Sequence, residues 1–301
     1  MKTDSLNRRQ FLQAGALAVA SAATIHSSRA EAAEKPQGVH WPIGCFNRPW
    51  GTWSFDAALD GIKAAGFRLM GIVGNHKGEP LLSPEATPDY LDALRERIAA
   101  RGLTVNLGWA PTRLQPQLSD SIRFARELID QAARLKLTHL LTAGVSRENQ
   151  YEDYYRTMAG AAAYAQDKGI KLVIKPHGGC CAASAELLRC LEKVNHPNFK
   201  IWYDAGNILH YTGKDPVAEL GPIASQVTGF CAKDCAEQKG PVMIQFGDGK
   251  VDFKAVFAKL KVAGFNGPIM IECCAVGATA EEVTTNAGAN RKFLEKTLAA
   301  I

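Results

Sequence analysis

The amino-acid sequence predicts a closed (β/α)8 barrel, also called a TIM barrel, as one domain over residues 33–301. Eight short apolar runs alternate with eight amphipathic stretches along the 301-residue chain, which is the rhythm of repeated strand–helix units. Several of the amphipathic stretches end in a glycine, as at Gly66, Gly102 and Gly169, which is typical of helix C-termini. The length of this region is that of a single α/β barrel.

The first segment, residues 1–32, has the pattern of a twin-arginine export signal. The segment Asn7–Leu12 reads NRRQFL, and the small, weakly apolar run 14–23 follows it, with Ala30 and Ala32 suiting a cleavage site. The apolar run is too short to span a membrane. We therefore expect a periplasmic protein whose only contact with a membrane is export. A cytosolic chain with a basic amino terminus is the alternative.

The remaining elements follow in regular order, because each apolar run is short and each amphipathic stretch has apolar residues three and four positions apart. Strands are predicted at His40–Phe46, Leu69–Gly74, Thr104–Trp109, Thr138–Ala143, Lys171–His177, Lys200–Asp204, Gly229–Lys233 and Ile269–Cys273. Helices are predicted at Phe55–Ala65, Pro88–Arg101, Ser119–Leu135, Tyr151–Lys168, Ser184–Val194, Pro216–Ser225, Phe253–Ala263 and Ala280–Ala300. An open doubly wound sheet is disfavoured, because no strand is followed by a Gly-x-Gly-x-x-Gly turn that opens a helix.

The charge and composition of the chain limit the kinds of molecule that it is expected to bind. The net charge of +5 includes the basic residues of the export signal, and no Lys/Arg run occurs later. Nucleic acid and membrane surfaces are therefore poor candidates, and a small polar molecule is the better one. The eight cysteines include adjacent pairs that suit no zinc-ribbon spacing. Any disulfide among them would join different strands.

The segment Lys171–Gly179, KLVIKPHGG, reads as a buried strand that delivers polar side chains to a rim. Side chains alternate along a strand, so Lys175 and His177 point the same way. In a barrel of this type the carboxyl ends of the strands form the functional face. The other strand ends also carry polar or reactive residues: Cys45, Asn47, Arg48, Asn75, His76, Trp109, Asp204, Asn207, Cys231, Lys233, Asp234, Glu272, Cys273 and Cys274.

Five segments in order resemble the sugar phosphate isomerase/epimerase family of xylose isomerase-like TIM barrels. They are Lys171–Gly179, Trp202–Asn207, Cys231–Asp234, Phe246–Phe253 and Gly267–Glu272. The resemblance implies one divalent cation, Mn, Mg, Co or Zn, held by Glu, Asp, His and Glu of strands five to eight. The cation would polarise a sugar carbonyl while two carboxylates move a proton at the adjacent carbon.

Two of those four ligands are replaced in this chain. Asp204 and Glu272 match the family, but Lys175 stands where the family has the strand-five glutamate, and Cys231 stands where it has the strand-seven histidine. An ammonium beside a divalent ion is repelled by it, at a cost on the order of several kcal/mol. The family's metal site therefore cannot be carried over unchanged.

Three hypotheses remain for this rim. In the first, a shifted set, His177, Asp204, Cys231 and Glu272, holds zinc or another borderline cation. In the second, the site is metal-free, and the ammonium of Lys175 neutralises the carboxylates and polarises a substrate oxygen. In the third, Lys175 is a structural ion-pair partner, and the protein binds a ligand or nothing.

The resemblance implies an enzyme that acts on a sugar or keto-sugar by abstracting a proton next to a carbonyl, giving isomerisation, epimerisation or elimination. The partner would be a small-molecule carbohydrate, and a homo-oligomer is compatible with the sequence. A carbohydrate-binding barrel without activity is the alternative. A metal-dependent endonuclease would need more His and acidic ligands and a basic groove. The roles assigned are catalytic for Glu272, Lys175 and Lys233, and substrate-binding for His177, Asn207, Trp109 and His76.

Overall fold

Eight parallel strands close into a barrel in chain order in a computed structural model that describes residues 38–74 and 76–301. This confirms the predicted fold class, while the predicted export signal lies outside the described residues. The strands are β1 (Ile43–Phe46), β2 (Leu69–Ile72), β3 (Thr104–Trp109), β4 (His139–Thr142), β5 (Lys171–Ile174), β6 (Phe199–Asp204), β7 (Val227–Ala232) and β8 (Ile269–Ile271). The barrel closes through β1 and β8, where Gly44 pairs with Met270.

Helices connect the strands and cover the outside of the barrel. They are α1 (Phe55–Ala64), α2 (Pro88–Ala99), α3 (Leu118–Arg134), α4 (Tyr151–Asp167), α5 (Ser184–Val194), α6 (Ala205–Thr212), α7 (Pro216–Leu220), α8 (Phe253–Val262) and α9 (Ala280–Ala299). Across the described ranges, no helix is long and apolar enough to cross a bilayer.

Two helices differ from the prediction. Helix α6 was not predicted; it begins directly after Asp204, whose carboxylate caps it by accepting a hydrogen bond from the backbone N–H of Asn207. The helix predicted over 216–225 is α-helical only to Leu220 and continues as a 3-10 helix over Gly221–Gln226. Pro222 explains the change, because it has no N–H to donate into an α-helix.

Apolar side chains fill the interior of the barrel below the rim. They are Phe46, Leu107, Leu141, Val173, Trp202, Cys231 and Met270. Trp202 is fully buried and packs against Gly229, where a Cβ would lie 2.1 Å from the indole ring. Because side chains alternate along strands, the residue two positions after each inward-facing one points inward again, nearer the carboxyl rim. This alternation puts Lys175, Asp204, Lys233 and Glu272 in the layer above the apolar residues.

Candidate active site

Four charged side chains are buried together where β5, β6, β7 and β8 end. Lys175 and Asp204 are 0% exposed, and Lys233 and Glu272 are 2% exposed. Charged residues are almost never buried to this degree unless they are paired. The distances between these charged groups therefore determine which chemistry the cluster can support.

Each ammonium of the cluster contacts both carboxylates. The Nζ of Lys175 lies 2.5 Å from Glu272 Oε2 and 3.3 Å from Asp204 Oδ2. The Nζ of Lys233 lies 3.1 Å from Glu272 Oε1 and 3.2 Å from Asp204 Oδ2. Two cations and two anions thus compensate one another, which is the condition for burying them.

Arg48 adds a third cation from the rim above. Its guanidinium donates to Glu272 Oε1, and its side chain is 37% exposed. Three cations now face two carboxylates, so the group carries a net charge of +1, and the uncompensated charge is the one that solvent reaches. Sequence reasoning placed Arg48 at the end of a strand but gave it no role.

The surroundings keep these groups charged. Burial alone would raise the pKa of Glu272, but Lys175, Lys233 and Arg48 outweigh it and hold that pKa well below 4.5. Burial would lower the pKa of Lys233, but Asp204 and Glu272 raise it well above its usual value. Lys175, Lys233 and Glu272 are therefore charged at neutral pH.

Cys231 is part of the cluster as a neutral thiol. Its Sγ donates to Glu272 Oε2 at 2.7 Å and lies 4.0 Å from Lys175 Nζ. Burial, followed by the charge of Glu272, raises the pKa of Cys231 well above 9.0. A protonated buried thiol is not a nucleophile. In this structure all eight cysteines are free and buried.

Asp204, Cys231 and Glu272 have donor atoms within 4.8 Å of one another, a spacing that suits a metal ion. The shifted set predicted from the sequence is thus brought together without His177. The arrangement nevertheless does not fit a divalent cation. Lys175 Nζ lies against all three donors, and a divalent ion about 3 Å from an ammonium would be repelled by on the order of 10 kcal/mol at an effective dielectric of about 20. A metal would also need the thiol deprotonated.

His177 lies beyond the end of β5, at the mouth of the barrel. Its Nε2 is 3.0 Å from the hydroxyl of Tyr211, and its ring is edge-on to Trp109 with centroids 5.8 Å apart. Burial, and then the charges of Lys175 and Lys233, lower the pKa of His177 to about 4. The imidazole is therefore neutral at pH 7.

A cleft of about 390 Å³ opens beside Trp109 and His177 and extends to residues 143–147. The ring of Trp109, which lines the cleft, lies 5.4 Å from Lys175 Nζ of the charged cluster. A second, enclosed cavity lies outside the barrel between α3 and α4, and mainly apolar side chains line it. The cleft is the place where a polar ligand would meet charged groups.

The other predicted site residues separate into two groups. Asn207 belongs to the cluster, because it accepts from Lys233 Nζ at 2.8 Å and donates to the carbonyl of Pro176 at 2.7 Å. His76 is buried away from it: Nδ1 lies 3.0 Å from Asn47 Nδ2, and Nε2 lies 3.0 Å from a backbone carbonyl. Both nitrogens of His76 are occupied by the protein itself.

Asp234, next to Lys233 in the sequence, stabilises a loop instead of joining the charged cluster. Its carboxylate is buried and accepts four backbone N–H groups, from Cys235, Gly247, Gly249 and Val251, at 2.8 to 3.1 Å. These hydrogen bonds hold the loop after β7 in place. Asp234 therefore shapes one side of the mouth.

The sequence profile of the xylose isomerase-like TIM barrel matches residues 59–297. The chain belongs to this family. Among curated proteins, it is similar to the inosose dehydratase of Geobacillus kaustophilus (strain HTA426), with 30% identity over 143 residues, 42% of this chain and 46% of the relative. The chain spans about half the length of the curated relatives it matches.

Solved structures that share this fold include an epimerase and a dehydratase. An L-ribulose 3-epimerase superposes with a TM-score of 0.68 at 16% identity, covering 87% of this chain and 95% of the epimerase. The probable 3-DHS dehydratase AsbF of Bacillus anthracis superposes with a TM-score of 0.65 at 14% identity, covering 85% and 99%. At these identities the likeness establishes the fold alone.

Proposed function

We propose that this family member is an enzyme that moves a proton at the carbon next to the carbonyl of a small, unphosphorylated sugar or keto-sugar. The observation that carries the proposal is the buried group of Lys175, Lys233, Asp204 and Glu272 beside an open cleft. Such fixed cations stabilise the negative charge that develops on a carbonyl oxygen when the neighbouring carbon loses a proton.

Glu272 is the proton carrier in this proposal. In the resting site three cations hold it, so its basicity is low. A substrate oxygen that takes hydrogen bonds from Lys233 or Arg48 removes part of that stabilisation and makes the carboxylate a stronger base. Glu272 then takes the proton from carbon, and the electron pair moves onto the carbonyl oxygen to give an enediolate.

The fate of the proton decides the product. Protonation of the same carbon from its opposite face by a second donor gives epimerisation, and transfer of the proton to the adjacent carbon gives isomerisation. Donation from Glu272 to a departing hydroxyl gives elimination of water. The names of the dehydratase relatives support testing elimination first. The export pattern at residues 1–32 supports a periplasmic enzyme, where sugar phosphates are scarce, and Trp109 and His177 would contact the sugar in the cleft.

A carbohydrate-binding barrel without activity is the second candidate. The observation that favours it is that Lys175, Asp204, Lys233 and Glu272 form ion pairs with one another and are at most 2% exposed. Such a network also occurs where charges serve structure alone.

One experiment separates the two candidates. The purified protein is incubated in D2O with 2-keto-inositol, D-allulose and D-fructose, and NMR follows deuterium entry next to the carbonyl and product formation. The enzyme exchanges deuterium, and Glu272→Gln lowers turnover by about 10² to 10⁴ while sugar affinity changes little. Saturable sugar binding without exchange in either protein would establish the binding barrel instead.

A further inference from the structure

We infer that the ammonium of Lys175 takes the place of the family's divalent cation, so that this chain is a metal-independent member whose cation belongs to the residue directly after strand β5. The claim that Lys175 serves in catalysis rests on the proposed function, whereas the claim that the site binds no metal does not. Three observations on the described residues lead to it.

The first observation is where the possible ligands point. Glu272 Oε2, Asp204 Oδ2 and Cys231 Sγ lie 2.5, 3.3 and 4.0 Å from Lys175 Nζ. The same three side chains form the only group within residues 38–74 and 76–301 with the spacing of a metal site. The donors therefore converge on an ammonium that already occupies the space between them.

The second observation concerns charge. The family's strand-five glutamate is replaced by Lys175, which changes the charge of the protein at that position from −1 to +1. This difference equals the charge of one divalent ion. The cluster of this chain is thus as well balanced without an ion as the family's ligand set is with one, and adding an ion would leave an uncompensated buried charge of +2.

The third observation is that the second replaced ligand position, Cys231, is compatible with the lysine at position 175. Cys231 stands at the family's histidine position, and its Sγ lies 4.0 Å from Lys175 Nζ. Its thiol donates to the same oxygen of Glu272 that the ammonium binds. The ring of Trp109 covers the ammonium at 5.4 Å, which stabilises a desolvated cation. Lys175 is fully buried.

Metal binding by the purified full chain tests this inference without a substrate. Wild-type protein, treated with a chelator and then titrated with Mn²⁺, Co²⁺ or Zn²⁺, is expected to bind no stoichiometric ion by calorimetry and elemental analysis. The double variant Lys175→Glu/Cys231→His restores the family's four ligands and is expected to gain about one ion per chain. The matched control Lys254→Glu makes the same charge change at an exposed position and is expected to gain none.

Two results would overturn the inference. One is a wild-type protein that binds one equivalent of Co²⁺ with a thiolate-to-metal absorption band that Cys231→Ala abolishes, because the shifted ligand set would then exist. The other is a double variant with wild-type circular dichroism that still binds no ion, because Lys175 would then not be what excludes it. If the double variant aggregates, Lys175→Glu alone replaces it, with the same expected gain of an ion. Absence of turnover on any sugar would remove the proposed function and leave these binding results unaffected.

Discussion

Replacing Lys175 by methionine tests the energetics of the buried cluster. Methionine nearly matches the lysine stem in volume, so little cavity forms. The change removes the cation at 2.5 Å from Glu272 and 3.3 Å from Asp204, leaving two buried carboxylates with Lys233 and the half-exposed Arg48. Breaking a buried pair by removing one partner costs about 3 to 5 kcal/mol. Urea unfolding followed by circular dichroism at pH 7 measures this loss.

The stability loss of this variant is also expected to depend on pH. Glu272 has a folded-state pKa well below 4.5, so its ionisation contributes stability that is present above about 4.5 and is lost as pH falls through the folded value. Without Lys175 that pKa rises, and the contribution is smaller from the start. The unfolded proteins titrate alike, so the stability difference should shrink only as pH falls from the variant's raised folded-state pKa of Glu272 toward the lower wild-type value. Lys254→Met, at an exposed position, serves as the control. A loss under about 1 kcal/mol, or one that stays constant in acid, would refute the reasoning.

Two further predictions concern the mouth of the barrel. The ring protons of His177 should titrate in NMR with a midpoint of about 4, and Lys175→Met should move the midpoint upward, since Lys175 contributes to lowering it; a midpoint near 6.5 in the wild type would contradict the burial described. Asp234→Ala removes the acceptor of four backbone N–H groups and should destabilise the fold by about 3 kcal/mol or more in urea unfolding, with Asp234→Asn intermediate. Equal stability of Asp234→Ala and wild type would show that water replaces the carboxylate.

The strand–helix alternation was enough to predict the barrel, because the hydrophobic periods of strands and helices differ and eight pairs leave little choice of topology. The order of the strands and most helix positions follow from it; the exceptions are α6 and the second half of the helix predicted over 216–225. Helix α6 was missed because its capping residue, Asp204, is also the last residue of a buried strand. The sequence gives no separate loop between the two elements.

The site was predictable as far as strand alternation extends. Lys175, Asp204, Lys233 and Glu272 converge because each follows an inward-facing residue at an interval of two. Alternation stops where the strands end, so it gave no information on Arg48, which reaches Glu272 from the turn after β1. For the same reason it did not reveal that His76 turns toward Asn47 and away from the cluster. Contacts of loop residues depend on tertiary packing.

The bonds of Asp234 have a consequence for laboratory evolution. The loop after β7 is fastened to one carboxylate through residues 247, 249 and 251, so random substitutions there would mostly cost folding yield. The opposite side of the mouth, at residues 143–147 beside Trp109, borders open space. Libraries aimed at new sugars should concentrate their diversity on that side and leave the fastened loop constant.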